Sequence, residues 1–388
     1  MRVFILSLDR LRFNQSGVAQ FGTQGGFQGK LQSAVHSTKH VAGRDVYFRA
    51  ETQRLSAKEK SRDVVRLLGV GAYVPAQVMT NADWAKYVDT SDEWITARTG
   101  IKRRHIAAED ENTADLAVKA ALSALAAAGL TAEAIDEIIV ATDTPEMRIP
   151  DTASFVQHRL GAREVPAYDL GGGGCYGFLQ GVDIARSRAL HNGGMVLVIG
   201  VQLLLRLIDW KDRNSCVLFG DAAGATIVGK NGSGPEILAV VSGTDGSHTS
   251  AISLPVGGTR QPFTLEAAQQ NLHLRVSLEG RAVFKEAVRR MTQAARDALA
   301  KAGRSVSDVS LVVPHQANLR IIEAVAEHLG LPLKKFFVNL QEYGNTGPAS
   351  LPVALWDSMQ QKVIKPGDLV LLTAFGAGLH WGAAVLQF

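Results

Sequence analysis

Cysteine is almost missing from this chain: Cys175 and Cys216 are the only two in 388 residues. Lying 41 positions apart, they form neither a disulfide framework nor a CxxC metal site, so a reducing compartment, the cytoplasm, is expected. No apolar run reaches the ~18 residues that a membrane span requires. No His, Cys and Asp spacing points to a metal. A strong charge bias is also lacking where it would matter. Residues 1–62 hold 11 basic and 4 acidic side chains, leaving 30 against 33 in the rest. The surplus behind the net charge of +4 therefore belongs to the leader, and the core gives no reason to invoke nucleic acid. That leader is rich in Gln, Ser and Gly, and its apolar run Val3–Leu8 is too short for a secretory signal of ~7–15 apolar residues. Residues 1–62 are expected to be a disordered or non-native extension, dispensable for catalysis.

What is present begins at Val64, where strand and helix patterns alternate. Glu137–Ala141 and Gly194–Ile199 read as short buried strands. Between Val64 and Glu137, Val118, Leu122 and Leu125 mark one face of a helix that ends at a C′ glycine, Gly129. The C-terminal half repeats the theme. Phe284, Val288, Met291, Ala295 and Leu299 form a helical stripe, followed by Gly303 and the strand Leu311–Val313. Ala128–Ile139 aligns with Ala302–Val313 at an offset of 174, Leu160-Gly161 with Leu329-Gly330 at 169, and the strands after Gly194 and Gly367 at 173. Three ordered matches at nearly one offset argue for duplication. The halves are expected to span 63–235 and 236–388.

The repeat places Asn345, in Tyr343-Gly-Asn-Thr-Gly347, opposite Cys175, in Leu170-Gly-Gly-Gly-Gly-Cys175. Both sit at Gly-flanked strand-to-helix turns. Equivalent turns of two pseudo-symmetric halves can meet at the axis, so a cysteine and an asparagine would share a cleft. At a helix N-terminus, Cys175 would have its pKa lowered by free N–H groups and the helix dipole. Cys216, in the apolar run Ser215–Phe219, reads as a structural thiol. His315 follows a strand in Val312-Val-Pro-His315, at the end where α/β folds bind ligands; alone, it fits a backbone-bonded imidazole as well. His380 reads as structural. Together, Cys175, His315 and Asn345 point to acyl transfer through a thioester, with side-chain donors polarising a second carbonyl.

From about Leu67 to Phe388 the chain resembles β-ketoacyl-acyl-carrier-protein synthase III, the initiating condensing enzyme of type II fatty acid synthesis in the thiolase superfamily. The resemblance rests on Thr90–Ile95, Arg98-Thr-Gly-Ile101, Phe219-Gly-Asp221, His315–Arg320, Gly344-Asn-Thr346 and Trp381-Gly382, together with the Cys-His-Asn set. It implies an α/β thiolase-like fold with duplicated halves in αβαβα layers. It also implies a homodimer that condenses acyl-CoA, most simply acetyl-CoA, with malonyl-acyl-carrier protein without any cofactor. Cys175 would take the primer, and His315 and Asn345 would stabilise the enolate. Backbone N–H groups of Cys175 and Gly378 would form the oxyanion hole. The resemblance further assigns Trp94, Arg98 and Arg213 to CoA, Phe284 to the acyl pocket, and Gln316, Ala317, Asn318, Leu319 and Arg320 to the carrier protein.

By their residue types alone, Trp94, Arg98, Phe284 and Arg320 read as packing or surface positions. Tyr176, Gly171–Gly174, Gly347-Pro348 and His380 depart from the family pattern. They leave the reacting groups intact but change the acyl pocket's shape, so primer length stays open. The rival readings are a condensing enzyme of secondary metabolism, a cysteine hydrolase and a non-catalytic partner subunit.

Overall fold

The computed structural model describes residues 63–230 and 232–388; the expectations for residues 1–62 lie outside them. Nine strands run across one sheet in the order 311–314, 369–376, 380–387, 236–244, 65–73, 222–230, 196–202, 137–141 and 167–170. The two sides join through a single register pair, Arg66 with Glu236. From that seam outward each side repeats one pattern. The strand Val65–Tyr73 pairs antiparallel with Ala222–Lys230, which pairs antiparallel with Val196–Gln202. Glu137–Ala141 and Ala167–Leu170 then follow in parallel. On the other side Glu236–Thr244 meets His380–Gln387 and then Leu369–Gly376 antiparallel. Leu311–Pro314 follows in parallel, with a further parallel bridge from Val312 to Phe336.

Alternation along the strands creates the layers. Ile138 and Val140 face the outer helix Thr113–Ala128 together with Leu197 and Ile199. Ile139 and Val198 face the opposite way, onto Phe178, Leu179 and Val182 of the central helix Gly177–Asn192. The second half behaves alike. Leu371 and Val385 face the outer helix Gly280–Lys301, whereas Val370 and Leu372 join the central layer with Leu351 and Leu355 of Ser350–Gln360. With both faces of each half covered, continuous apolar strand runs are what the period-two geometry requires. The result is the expected αβαβα thiolase-like architecture. Among the described residues no helix is long and apolar enough to cross a membrane.

One helix face differs from its sequence expectation. Leu125 is buried as expected, but Leu122 is 52% exposed, and the buried stripe of Thr113–Ala128 runs through Ala117, Ala120, Ala121 and Ala124. The reason lies on the strand beneath. Gly69 and Gly71 let the helix backbone approach so closely that a Cβ on Gly71 would lie 2.2 Å from the Ala124 amide nitrogen. Only small side chains fit such an interface. Gly71→Ala is therefore expected to lower unfolding free energy by about 3 kcal/mol, at the upper end of overpacking costs. Gly129 is left-handed at φ +65 with open space around it, so Gly129→Ala is expected to cost only about 1 kcal/mol. Denaturant titration of the two variants measures the contrast.

Candidate active site

Cys175 lies in the short 3-10 turn Gly174–Tyr176 that leads into the central helix Gly177–Asn192. Its glycines serve a close approach. Gly174 has φ +53, and a Cβ there would lie 2.5 Å from the Ala377 amide nitrogen. Reciprocally, a Cβ on Gly376 would stand 2.6 Å from the Cys175 amide nitrogen. Two backbone segments, one from each half, thus touch around the thiol. Gly378, with φ +129, belongs to the second of them and borders the same cavity.

The counterpart turn arrives from the other side. Asn345 is fastened by its amide to the Leu218 carbonyl at 2.8 Å, and its own carbonyl accepts from Gly220 at 3.0 Å. Its Oδ1 accepts from the Gly347 amide at 2.9 Å and from Cys175 Sγ at 3.8 Å. With Oδ1 so occupied, the amide nitrogen is the group left to donate. His315 is buried at the end of the strand Leu311–Pro314, where its amide donates to the Thr373 carbonyl at 2.8 Å. Among the described residues neither of its ring nitrogens has a hydrogen-bond partner. A buried imidazole with two unpaired nitrogens carries an unmet desolvation cost. Cys175, His315 and Asn345 all border one cavity of about 1270 Å³.

Electrostatics overturns one expectation. Protein packed around the cavity-facing thiol pushes the Cys175 pKa up to about 12, and the neighbouring Asp143 carboxylate adds to the rise. The side-chain contact with Asn345 and a hydrogen bond with the residue's own amide pull the other way and lose. Desolvation and a nearby like charge thus outweigh the hydrogen bonds that favour thiolate. Burial likewise pushes His315 down to about 3. Thiol and imidazole are both neutral near pH 7. Cys216 is fully buried in the core beside Val217 and Phe219, as expected of a structural thiol.

The remaining candidates divide. Trp94 has the Arg98 guanidinium 4.3 Å and the Arg213 guanidinium 4.7 Å from its ring centroid. Arg98 also borders the cavity. Phe284 was expected to begin a core stripe; it is 40% exposed and lines the cavity, because the first turn of Gly280–Lys301 overhangs it. In the segment expected at a carrier protein, Gln316 is a correction. It is only 1% exposed, donating to the Pro314 and Phe337 carbonyls and accepting from the Asn339 and Leu340 amides. With its amide fully satisfied inside the protein, Gln316 offers a partner nothing. Leu319 is half-buried and packs toward Gly100. Ala317, Asn318 and Arg320 do reach the cavity wall. Asn318 caps the helix Leu319–Leu329 and donates to the Arg98 carbonyl at 3.2 Å, and Arg320 donates to the Ala97 carbonyl at 2.9 Å. The two segments assigned to CoA and to the carrier protein are thereby tied together at one mouth. His380 bonds Thr244 at 2.8 Å and stacks on Tyr176, a structural setting.

Sequence reading missed Asp143, which borders the cavity just beyond the strand Glu137–Ala141. The rule that singles out His315, a polar residue at the carboxyl end of a strand, applies equally to Asp143.

Comparison with known proteins agrees with this geometry. The family model for 3-oxoacyl-[acyl-carrier-protein] synthase III matches residues 168–246, and that for the C-terminal part of the same enzymes matches residues 299–388. The β-ketoacyl-[acyl-carrier-protein] synthase III of Oleidesulfovibrio alaskensis is 47% identical over 325 residues, covering 83% of this chain and 98% of that protein. The crystal structure of 3-oxoacyl-[acyl-carrier-protein] synthase III from Aquifex aeolicus superposes with a TM-score of 0.76 at 44% identity, covering 84% of this chain and all of that one. The priming β-ketosynthase of the R1128 polyketide biosynthetic pathway superposes at 0.77 with 34% identity, covering 84% of this chain and 97% of that one.

Proposed function

Since the chain belongs to the β-ketoacyl-[acyl-carrier-protein] synthase III family, we propose that it condenses an acyl-CoA primer with malonyl-acyl-carrier protein and so initiates fatty acid biosynthesis. The observation that carries the assignment of roles is the convergence on one cavity of a thiol, an asparagine 3.8 Å from it and a buried imidazole with both nitrogens unpaired.

In the first half-reaction Cys175 sulfur attacks the primer carbonyl. The thiol proton passes to the leaving CoA sulfur, with neutral His315 available to relay it. Amide N–H groups of Cys175 and Gly378 stabilise the tetrahedral oxyanion. In the second half-reaction the bond from the malonyl carboxylate carbon breaks and carbon dioxide leaves. Its electron pair becomes an enolate whose oxygen accepts hydrogen bonds from His315 and the Asn345 amide. The enolate carbon then attacks the acyl thioester, Cys175 sulfur is expelled as thiolate and takes a proton from solvent to restore the thiol, and a 3-oxoacyl-carrier protein is released. The atoms balance without a metal or a redox cofactor.

Trp94 and Arg213 are assigned to the adenine of CoA, and Arg98 to its nucleotide end. Ala317, Asn318, Leu319 and Arg320 are assigned to the carrier protein. The chain is proposed to act as a cytoplasmic homodimer of duplicated halves, 63–235 and 236–388. The strand Ala167–Leu170 ends the sheet among the described residues and leaves an edge open to a second copy.

The test is a primer panel. With acetyl-CoA and malonyl-acyl-carrier protein, intact mass spectrometry is expected to find the carrier extended to a 3-oxobutanoyl thioester. Release of free acid without any malonyl substrate would instead support a hydrolase. Condensation confined to long or aromatic primers would favour a priming role in secondary metabolism.

A further inference from the structure

We propose that Asp143 is a positioning residue for the nucleophile: its carboxylate clamps the glycine turn beneath Cys175 and sets a negative charge beside the sulfur. The proposal rests on the reading of Cys175 as the acylated residue. Its foundation is the backbone of the turn. Gly172 at φ +73, Gly173 at φ −75 and Gly174 at φ +53 alternate between left- and right-handed conformations. Such alternation directs successive N–H groups into one concavity, an anion-binding nest. The anion here is supplied by the chain itself. Asp143 Oδ1 accepts from the Gly172 amide at 3.0 Å, and the Gly174 amide also bonds the carboxylate. The four glycines thus do more than clear space, since they wrap a side chain delivered by the neighbouring strand.

The clamp reaches the second catalytic turn as well. The Asp143 amide donates to Gln202 Oε1 at 3.4 Å. Gln202 packs against Gly347, whose amide holds Asn345 Oδ1. One loop therefore braces both the thiol and the asparagine.

Burial raises the Asp143 pKa, whereas the two glycine amides and His380 favour its ionised form. Other ionisable groups around this corner are His315, His380, Asp169, Asp151 and Arg148 on the cavity side, and Asp183 beyond Tyr176. Asp143 is the one that adds its charge to the rise at the thiol.

The full chain is compared with Asp143→Asn and Asp143→Glu. Alkylation of Cys175 by iodoacetamide from pH 6 to 10 is read by peptide mass spectrometry, and condensation by steady-state kinetics. Removing the charge should speed alkylation of Asp143→Asn by about tenfold at each pH. A neutral amide oxygen accepts more weakly than a carboxylate and holds the glycine turn less firmly, so kcat should fall by about tenfold with KM for acetyl-CoA little changed. Asp143→Glu keeps the charge and should keep the parental alkylation rate. A loosened variant would also expose the thiol and slow turnover, so near-ultraviolet circular dichroism and denaturant titration check that each variant is folded like the parent. An unchanged alkylation rate, or an unchanged kcat, in folded Asp143→Asn overturns the proposal. If parental Cys175 is alkylated but never acetylated, the functional reading fails, while the alkylation comparison still decides the charge beside the sulfur.

Discussion

Cys175→Ser is expected to fold and to take up no acetyl group from acetyl-CoA, with condensation reduced on the order of 10⁴-fold or more. A serine hydroxyl in the same turn keeps the glycine backbone and the contact with Asn345. It lacks an intrinsically nucleophilic sulfur, however, and the His315 imidazole of the same cavity is held near pKa 3 by burial. So weak a base cannot activate an alcohol. Cys216→Ser provides the contrast. That side chain is fully enclosed in the core and borders no part of the cavity. Acylation should persist, while burial of a hydroxyl lowers stability by ~1–2 kcal/mol. Intact-protein mass spectrometry after exposure to acetyl-CoA separates the two outcomes. A full acetyl adduct on Cys175→Ser would remove Cys175 from the mechanism.

How far the sequence reveals such a site depends on whether the physics is local. The strand Glu137–Ala141 has the bounds that its apolar run indicates. The pairing of Cys175 with Asn345 is also legible, because a duplicated fold turns a constant offset into a spatial correspondence. Leu122 misleads, since the partner face of bare glycine backbone selects alanines, and a periodicity scan rewards larger residues. Gln316 misleads for a related reason. A polar side chain reads as exposed until the two carbonyls and two amides that satisfy it are seen around it. Cys175 shows the limit most clearly. The N-terminal placement is visible in sequence and favours thiolate, yet the result is governed by enclosure and by Asp143, 32 positions away. Desolvation is a property of the assembled cavity, and no window of residues contains it.

The same enclosure suggests how the two half-reactions divide between the polar groups. In the proposed mechanism, acylation places developing charge on the primer carbonyl, next to the Cys175 and Gly378 amides. Decarboxylation places it on a second thioester, where the unpaired donors are His315 and the Asn345 amide nitrogen. Asn345→Asp retains an acceptor for the Gly347 amide and for the thiol, but it replaces the donor by a carboxylate whose charge opposes both thiolate and enolate. Loss of one preorganised donor typically costs about 10²–10³ in rate. Asn345→Ala should therefore lose that much condensation and Asn345→Asp at least as much, while acetyl transfer to Cys175 in Asn345→Ala falls by no more than about tenfold. His315→Ala should lose condensation to a similar degree, with a further slowing of acylation if the imidazole relays the thiol proton to CoA. Labelled acetyl uptake and carbon dioxide release, followed separately on each folded variant, distinguish the steps. Were both to fall by the same factor in Asn345→Ala, the asparagine would be holding the Cys175 turn in place rather than stabilising an enolate.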